Sequence, residues 1–197
     1  MNKTVAIQQI ILATTDQPII FTTGYSCRIA AHLCHRPNHF YMTGSMGLAT
    51  SIGTGVALAT GLPTVVVDGD GSLMMNPTSL IVVGAIPNLP LLHVVLDDGV
   101  YASTGSQEVS SKQVNLTRLA HVSGYSQVFH VGNVDAFAVQ LHGALANCFS
   151  PIFIHCTLSA ENTAVPPRID LNLAQHQRQF SQYLRTVTGF NGQKSQL

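Results

Sequence analysis

Two aspartates, Asp70 and Asp98, have the neighbours that metal and phosphate chemistry requires. Asp70 stands between Gly69 and Gly71 and is followed by Ser72, while Asp98 lies in Leu96-Asp97-Asp98-Gly99-Val100-Tyr101. Two hard carboxylate ligands, a glycine turn and a helix N-terminus suit a Mg²⁺ ion holding a diphosphate. The ion takes a few oxygens from the protein and more from the phosphates, and backbone N–H groups receive the remaining negative charge. Apolar runs precede both acids: Thr64-Val65-Val66-Val67-Asp68 before the first and Leu91-Leu92-His93-Val94-Val95-Leu96 before the second. Such runs read as buried strands of a parallel sheet, whose C-terminal ends are where open sheets bind ligands. Between Gly71 and Asp98 lie 26 residues (72–97). That is enough for one helix and two short loops, so a βαβ crossover brings Asp70 and Asp98 to the same sheet edge.

The elements that must hold this edge follow in order. Lys3 to Thr15 carries apolar residues at roughly the helical period and predicts an amphipathic helix. Ile19-Ile20-Phe21 predicts a short strand ending at Gly24-Tyr25-Ser26, with a helix from Arg28 to His35 that stops before Pro37. Phe40-Tyr41-Met42 predicts a strand leading into Thr43-Gly44-Ser45-Met46-Gly47. From Leu48 to Thr60 the helical residues are small, which suits a close approach by another backbone or ligand and equally suits tight packing on a sheet. Asn76-Pro77 is a cap for a helix to about Ala85, and Tyr101 to Lys112 reads as a covering loop. Asn115 caps Leu116 to Ser123. A strand at Ser126 to Val131, a helix at Val134 to Ala146, a strand at Ile152 to Leu158 and a polar helix at Leu171 to Thr186 complete the chain. Strands alternate with helices throughout, which predicts one α/β domain, a doubly wound parallel sheet over residues 1–188, with a disordered tail at 189–197.

Composition bounds the partners. The 197 residues include 9 Lys+Arg and 9 Asp+Glu, so the net charge is zero and no basic stripe points to nucleic acid. Only 9% of residues are charged while 46% are hydrophobic, against about 25% charged in an ordinary soluble domain. Either much of the surface faces another protein, or a neutral Ser/Thr/Gln/Asn surface covers a compact enzyme. Cys27, Cys34, Cys148 and Cys156 form no metal-ligand spacing and read as reduced thiols. The apolar region Leu80 to Leu96 is broken by Pro87, Asn88, Pro90 and His93, which argues against a membrane span. The expected location is cytoplasmic.

Two longer stretches carry a resemblance. Gly69-Asp70-Gly71, followed at the usual spacing by Leu-Asp-x-Gly, resembles the fingerprint of thiamine diphosphate enzymes. Asn38-His39-Phe40-Tyr41-Met42-Thr43-Gly44-Ser45-Met46-Gly47 and Leu96 to Gln107 are similar, more narrowly, to phosphonopyruvate decarboxylases and the β chain of sulfopyruvate decarboxylase. The similarity runs from about Ile19 to Thr157. It implies a diphosphate-binding domain in which Asp70, Asp98 and the Val100 carbonyl hold Mg²⁺. Gly24, Tyr25, Ser26, Ser72 and Tyr101 would lie near the diphosphate, with Gly69 and Gly71 letting the backbone approach it. Met46, beside Ser45, would bend the cofactor into a V, and the Gly44 carbonyl would accept from its 4′-amino group. On its own Met46 would read as core filler. Asp98 departs from the usual asparagine and adds a negative charge beside a diphosphate, which raises its pKa or weakens cofactor binding.

Among the histidines, His93 reads as a buried core residue, His32 and His35 as helix-face residues and His39 as one near the Met46 turn. Arg28 matches a family arginine, though Ile29 replaces the acid that often follows it. What the chain lacks is the glutamate that such enzymes place on the cofactor's pyrimidine N1′. Glu108 sits in the covering loop and Glu161 beyond the last strand. The resemblance therefore implies the diphosphate-binding subunit of a split decarboxylase of a 3-substituted pyruvate, yielding an aldehyde and CO₂. A pyrimidine-binding α subunit would carry the glutamate, and the substrate would be sulfopyruvate or phosphonopyruvate. An acetolactate-synthase-like carboligase subunit and a non-catalytic thiamine diphosphate-binding module remain alternatives. A dinucleotide-binding domain does not fit, because no GxGxxG follows the first strand.

Overall fold

The computed structural model describes residues 1–159 and 164–189. Six parallel strands form one sheet: β1 (Ile19–Phe21), β2 (His39–Tyr41), β3 (Thr64–Gly69), β4 (Leu91–Asp97), β7 (Gln127–Val131) and β8 (Ile152–Thr157), in the order β2-β1-β3-β4-β8-β7. Two strands, β5 (Val100–Tyr101) and β6 (Gln107–Glu108), form a separate antiparallel hairpin. The central strands are apolar on both sides, so alternate residues feed two cores. Ile19, Val65, Val67, Leu92, Val94 and Ile154 face one core, and Ile20, Val66, Leu91, Val95 and Phe153 face the other.

Helices α1 (Lys3–Ala13), α2 (Tyr25–Leu33) and α7 (Val134–Ala146) cover the first face. The opposite face carries α3 (Ala49–Thr60), α4 (Asp70–Met75), α5 (Thr78–Gly84), α6 (Leu116–Val122) and α8 (Leu173–Thr188). This is the expected doubly wound parallel sheet. In α1 the buried residues are Ala6, Ile7, Ile10 and Ile11, while Leu12 is exposed. The small residues of α3 answer the packing alternative at Gly53, where an added Cβ would lie 2.2 Å from Val66 Cγ2 on β3.

Three local expectations are corrected. The helix after β1 starts at Tyr25 rather than Arg28, because the chain turns at Gly24 with φ 99°, a conformation glycine adopts freely. Asn76 does not cap the next helix. It closes α4, its amide donates to the Gly47 carbonyl at 3.0 Å, and α5 begins only at Thr78. The segment expected as a loop, Tyr101 to Lys112, contains the second strand of the hairpin and a 3₁₀ turn at Ser110–Gln113. Glu161 and the expected tail lie outside the described residues, apart from Gly189, which ends α8 in the left-handed region.

Candidate functional site

β3 and β4 pair in register to their ends, with Gly69 opposite Leu96. Strand β1 lies on the other side of β3, and the chain order reverses between β1 and β3. Helix α2 leaves β1 toward one face and α4 leaves β3 toward the other. A cleft therefore opens beyond the strand tips, at the switch point of an open α/β sheet. It holds about 370 Å³ of open space.

The elements bring most of the expected residues to this cleft. After β1 come Tyr25 and Ser26 in the first turn of α2, and Met46 follows β2. Gly69, Asp70, Gly71 and Ser72 form the junction of β3 with α4, and Asp98, Val100 and Tyr101 follow β4. Gly24 and Met46 line an adjoining cleft. Gly44 and Ser45 are exposed and line neither, although Ser45 holds a left-handed φ of 56° in the turn before Met46.

The acidic edge contains three carboxylates. Asp70 is buried and accepts a hydrogen bond from Ser111 Oγ at 2.9 Å. Burial, then the charge of Asp97 and the shared contact with it, and more weakly Asp98, push Asp70 up to about 7 against the Ser111 hydrogen bond. Burial would also raise Asp97, but hydrogen bonds from His155 and Asp70 outweigh it and hold Asp97 below its ordinary value. His155 Nε2 lies 2.8 Å from Asp97 Oδ2, and the Gly99 N–H donates to Asp97 Oδ1 at 3.0 Å. Asp98 pairs with Lys3, whose Nζ is 2.7 Å from Oδ2. The carboxyl that acts most on Asp70 is thus Asp97, while Asp98 has a cation of its own.

Ser72 is tied into the scaffold. Its Oγ accepts from the Gly47 N–H at 3.0 Å and lies 2.9 Å from Thr22 Oγ1, joining three strand tips. Gly71 has no room for a side chain, since a Cβ there would lie 2.4 Å from Tyr101 Cε1. The Tyr101 ring packs on the Gly71 backbone and forms one wall of the cleft.

These donors fit a hydrated divalent ion carrying a diphosphate. Among the described residues no three His, Cys, Asp or Glu side chains converge to hold an ion. Two carboxylates can complete a Mg²⁺ sphere only with carbonyl, water and phosphate oxygens, which is the usual manner of that ion. Carboxylates crowded enough to raise Asp70 gain from a cation between them, and the α2 N-terminus lies across the cleft for an anion.

Lys3, Thr22, Ser111 and His155, together with the role of Asp97, were not legible in the sequence. Each acts through a contact across 41 or more residues and belongs to no local motif. The histidines divide clearly. His93 is buried, with Nδ1 3.0 Å from the Tyr125 hydroxyl and Nε2 3.3 Å from Thr50 Oγ1. His39 lines neither cleft. Its Nδ1 reaches the Cys34 carbonyl and the Tyr41 hydroxyl, both at 3.1 Å, and burial pushes it down to about 4. All four cysteines are free thiols. No helix among the described residues is long and apolar enough to cross a membrane.

Comparison with known proteins gives a consistent result. The family described as thiamine pyrophosphate enzyme, C-terminal TPP binding domain, matches residues 22–156. A phosphonopyruvate decarboxylase of Streptomyces hygroscopicus is 39% identical over 165 residues, 84% of this chain and 41% of its own length. A sulfopyruvate decarboxylase subunit beta of Methanothermobacter thermautotrophicus is 34% identical over 189 residues, 95% of this chain and 98% of its own. The chain thus spans about two fifths of the first relative and nearly all of the second. An X-ray structure assigned as a thiamin diphosphate-dependent enzyme of Mycobacterium smegmatis shares the fold, with a TM-score of 0.64 and 20% identity over 80% of this chain and 32% of that one. The chain belongs to the thiamine pyrophosphate enzyme family, whose C-terminal TPP-binding domain it carries.

Proposed function

We propose that this chain is the diphosphate-binding subunit of a thiamine diphosphate- and Mg²⁺-dependent decarboxylase acting on a 3-substituted pyruvate. The observation that carries the reading is the gathering of Asp70, Asp98 and the α2 N-terminus in one cleft at the sheet's switch point. Asp70, Asp98 and the Val100 carbonyl would hold the ion, with Tyr25, Ser26 and Tyr101 beside the diphosphate and Ser72 bracing the junction. When bound, the cofactor supplies an electron sink for the loss of CO₂ from a 2-keto acid. The chain's own residues would orient it, with Met46 lining both clefts and Tyr101 lining the first.

A second subunit belongs to the proposal because no glutamate lines either cleft among the described residues. Glu108 is exposed on the hairpin, paired with Lys112 at 3.3 Å. Leu48, Leu58, Met75, Ile81 and Val82, on or beside α3–α5, are exposed apolar side chains, as a chain so poor in charge would present to a partner. The relatives named subunit beta support a pyrimidine-binding α subunit at this seam. The test is co-expression with the neighbouring open reading frame, followed by CO₂ release from sulfopyruvate and phosphonopyruvate. We expect release from at least one acid by the complex and none by this chain alone. Robust decarboxylation without a partner would refute the split site.

A further inference from the structure

The second cleft adjoins the first and shares Thr23, Met46 and Ser103 with it. It holds about 880 Å³ of open space and is lined by Arg28 and Arg168, with the hydroxyls of Thr23, Thr43 and Ser103 nearby. No acidic side chain lines it among the described residues. In a chain with only 9 basic residues, two guanidinium groups in one cleft concentrate positive charge. Neither makes an ion pair among the described residues.

Arg28 is half-buried and held in place. Its Nε donates to the Pro166 carbonyl at 2.8 Å, a second nitrogen donates to the same oxygen, and the guanidinium lies 5.1 Å from the centroid of the Tyr25 ring. These bonds fix Arg28 and also the Pro166-Pro167 segment that carries Arg168. With its Nε edge held by that carbonyl, the guanidinium keeps its remaining N–H groups as preorganised, permanently charged donors beside hydroxyls, an arrangement that receives a tetrahedral oxyanion.

We propose that Arg28 and Arg168 form a subsite for the sulfonate or phosphonate head of the substrate, an assignment that rests on the decarboxylase reading above. With the head held there, the keto-acid end extends past Met46 and Ser103 into the cofactor cleft. Arg28 and Arg168 then select a 3-substituted acid over pyruvate, which has no group to place between them.

The test uses the full chain and two unreactive probes, sulfoacetate and phosphonoacetate, titrated by calorimetry. Both bind the wild type under the proposal. Arg168→Met, which removes an exposed side chain, weakens them at least tenfold at unchanged thermal stability, and Arg28→Lys weakens them further than it lowers stability. A loss confined to one probe supports the subsite and names its head group. In the complex with its partner, either variant raises KM for the 3-substituted acid while thiamine diphosphate affinity stays constant. No probe binding by the wild type, or equal binding by wild type and Arg168→Met, overturns the subsite. So does a parallel fall in cofactor affinity, which would assign the arginines to the diphosphate. Absence of CO₂ release from either acid would instead remove the decarboxylase reading, because probe binding is measured without turnover.

Discussion

Lys3 Nζ lies 2.7 Å from Asp98 Oδ2, joining the first turn of the N-terminal helix to the tip of β4 across 95 residues. Both side chains are mostly buried, 14% and 20% exposed. The resemblance implies an asparagine at position 98, and the extra charge of Asp98 would repel a diphosphate. The ammonium cancels that charge and occupies one carboxylate oxygen, leaving the other for a metal ion, as the single oxygen of an asparagine amide would be.

Lys3→Met should therefore weaken thiamine diphosphate binding at saturating Mg²⁺ by about tenfold, the size of one uncompensated partly screened charge. Asp98→Asn should keep or improve affinity. The double variant should return to wild-type affinity, because both members of a neutral pair have gone. Calorimetric titration of the complex reads all three, and a Lys3→Met protein that binds like the wild type would remove the compensation argument.

Asp70 gives a pH dependence with a defined sign. Its folded pKa of about 7 lies above the ordinary 3.8, so between those values the folded chain holds a proton that the unfolded chain has lost. Stability from this group is greatest at the acidic end and falls as pH rises through 7. The lowered Asp97 acts in the opposite sense, below its ordinary value. Other groups add to the overall pH dependence, so the diagnostic is a difference. Between pH 5.5 and 8, metal-free wild type should lose more Tm than Asp70→Asn. Metal binding must expel the same proton, so Mg²⁺-dependent cofactor affinity should weaken about tenfold per pH unit below 7. Asp70→Ala should abolish that binding, as titration at fixed Mg²⁺ would show.

The strands and the crossover were legible because their signal is local. Val65 to Val67 and Leu91 to Leu96 are apolar on both faces, and one crossover length separates Gly71 from Asp98. Asn115 announces α6 by accepting from Arg118 N, as cap chemistry predicts. Asn76 shows the limit. Its cap signal is as good, but its amide N–H is drawn to the Gly47 carbonyl in a tertiary contact and its Oδ1 accepts from the Thr78 hydroxyl instead of a backbone N–H. The charge balance of the site was hidden for the same reason: nothing about a lysine at position 3 announces that it will meet position 98.

His155 is the support least visible in the sequence. It lies on β8, donates to Asp97 at 2.8 Å, and stacks on His130 with ring centroids 4.9 Å apart. His155→Phe preserves the stack but leaves Asp97 without its main partner. The lost charged hydrogen bond costs about 1.5–3 kcal/mol, which lowers Tm by about 3–12 °C in a chain of this size. It should also raise the pKa of Asp97, which a carboxyl-carbon NMR titration would follow. An unchanged titration curve would show that Gly99 and Asp70 suffice to hold Asp97.

Gly71 and Gly44 should respond differently to the same change. A Cβ at Gly71 meets the Tyr101 ring at 2.4 Å, so Gly71→Ala must push that wall away or shift the β3–α4 junction. Overpacking of this kind costs about 1–3 kcal/mol, and moving Tyr101 opens the cleft, so cofactor affinity should fall with stability. A Cβ at Gly44 meets nothing within 4 Å, and its φ is not positive. Gly44→Ala should leave stability within about 0.5 kcal/mol of wild type. If the Gly44 carbonyl serves the cofactor's amino group, affinity should also survive, because alanine keeps that carbonyl. Thermal melts with and without thiamine diphosphate and Mg²⁺ separate the two effects. A Gly71→Ala chain that matches Gly44→Ala in both would show that the Tyr101 wall is not needed.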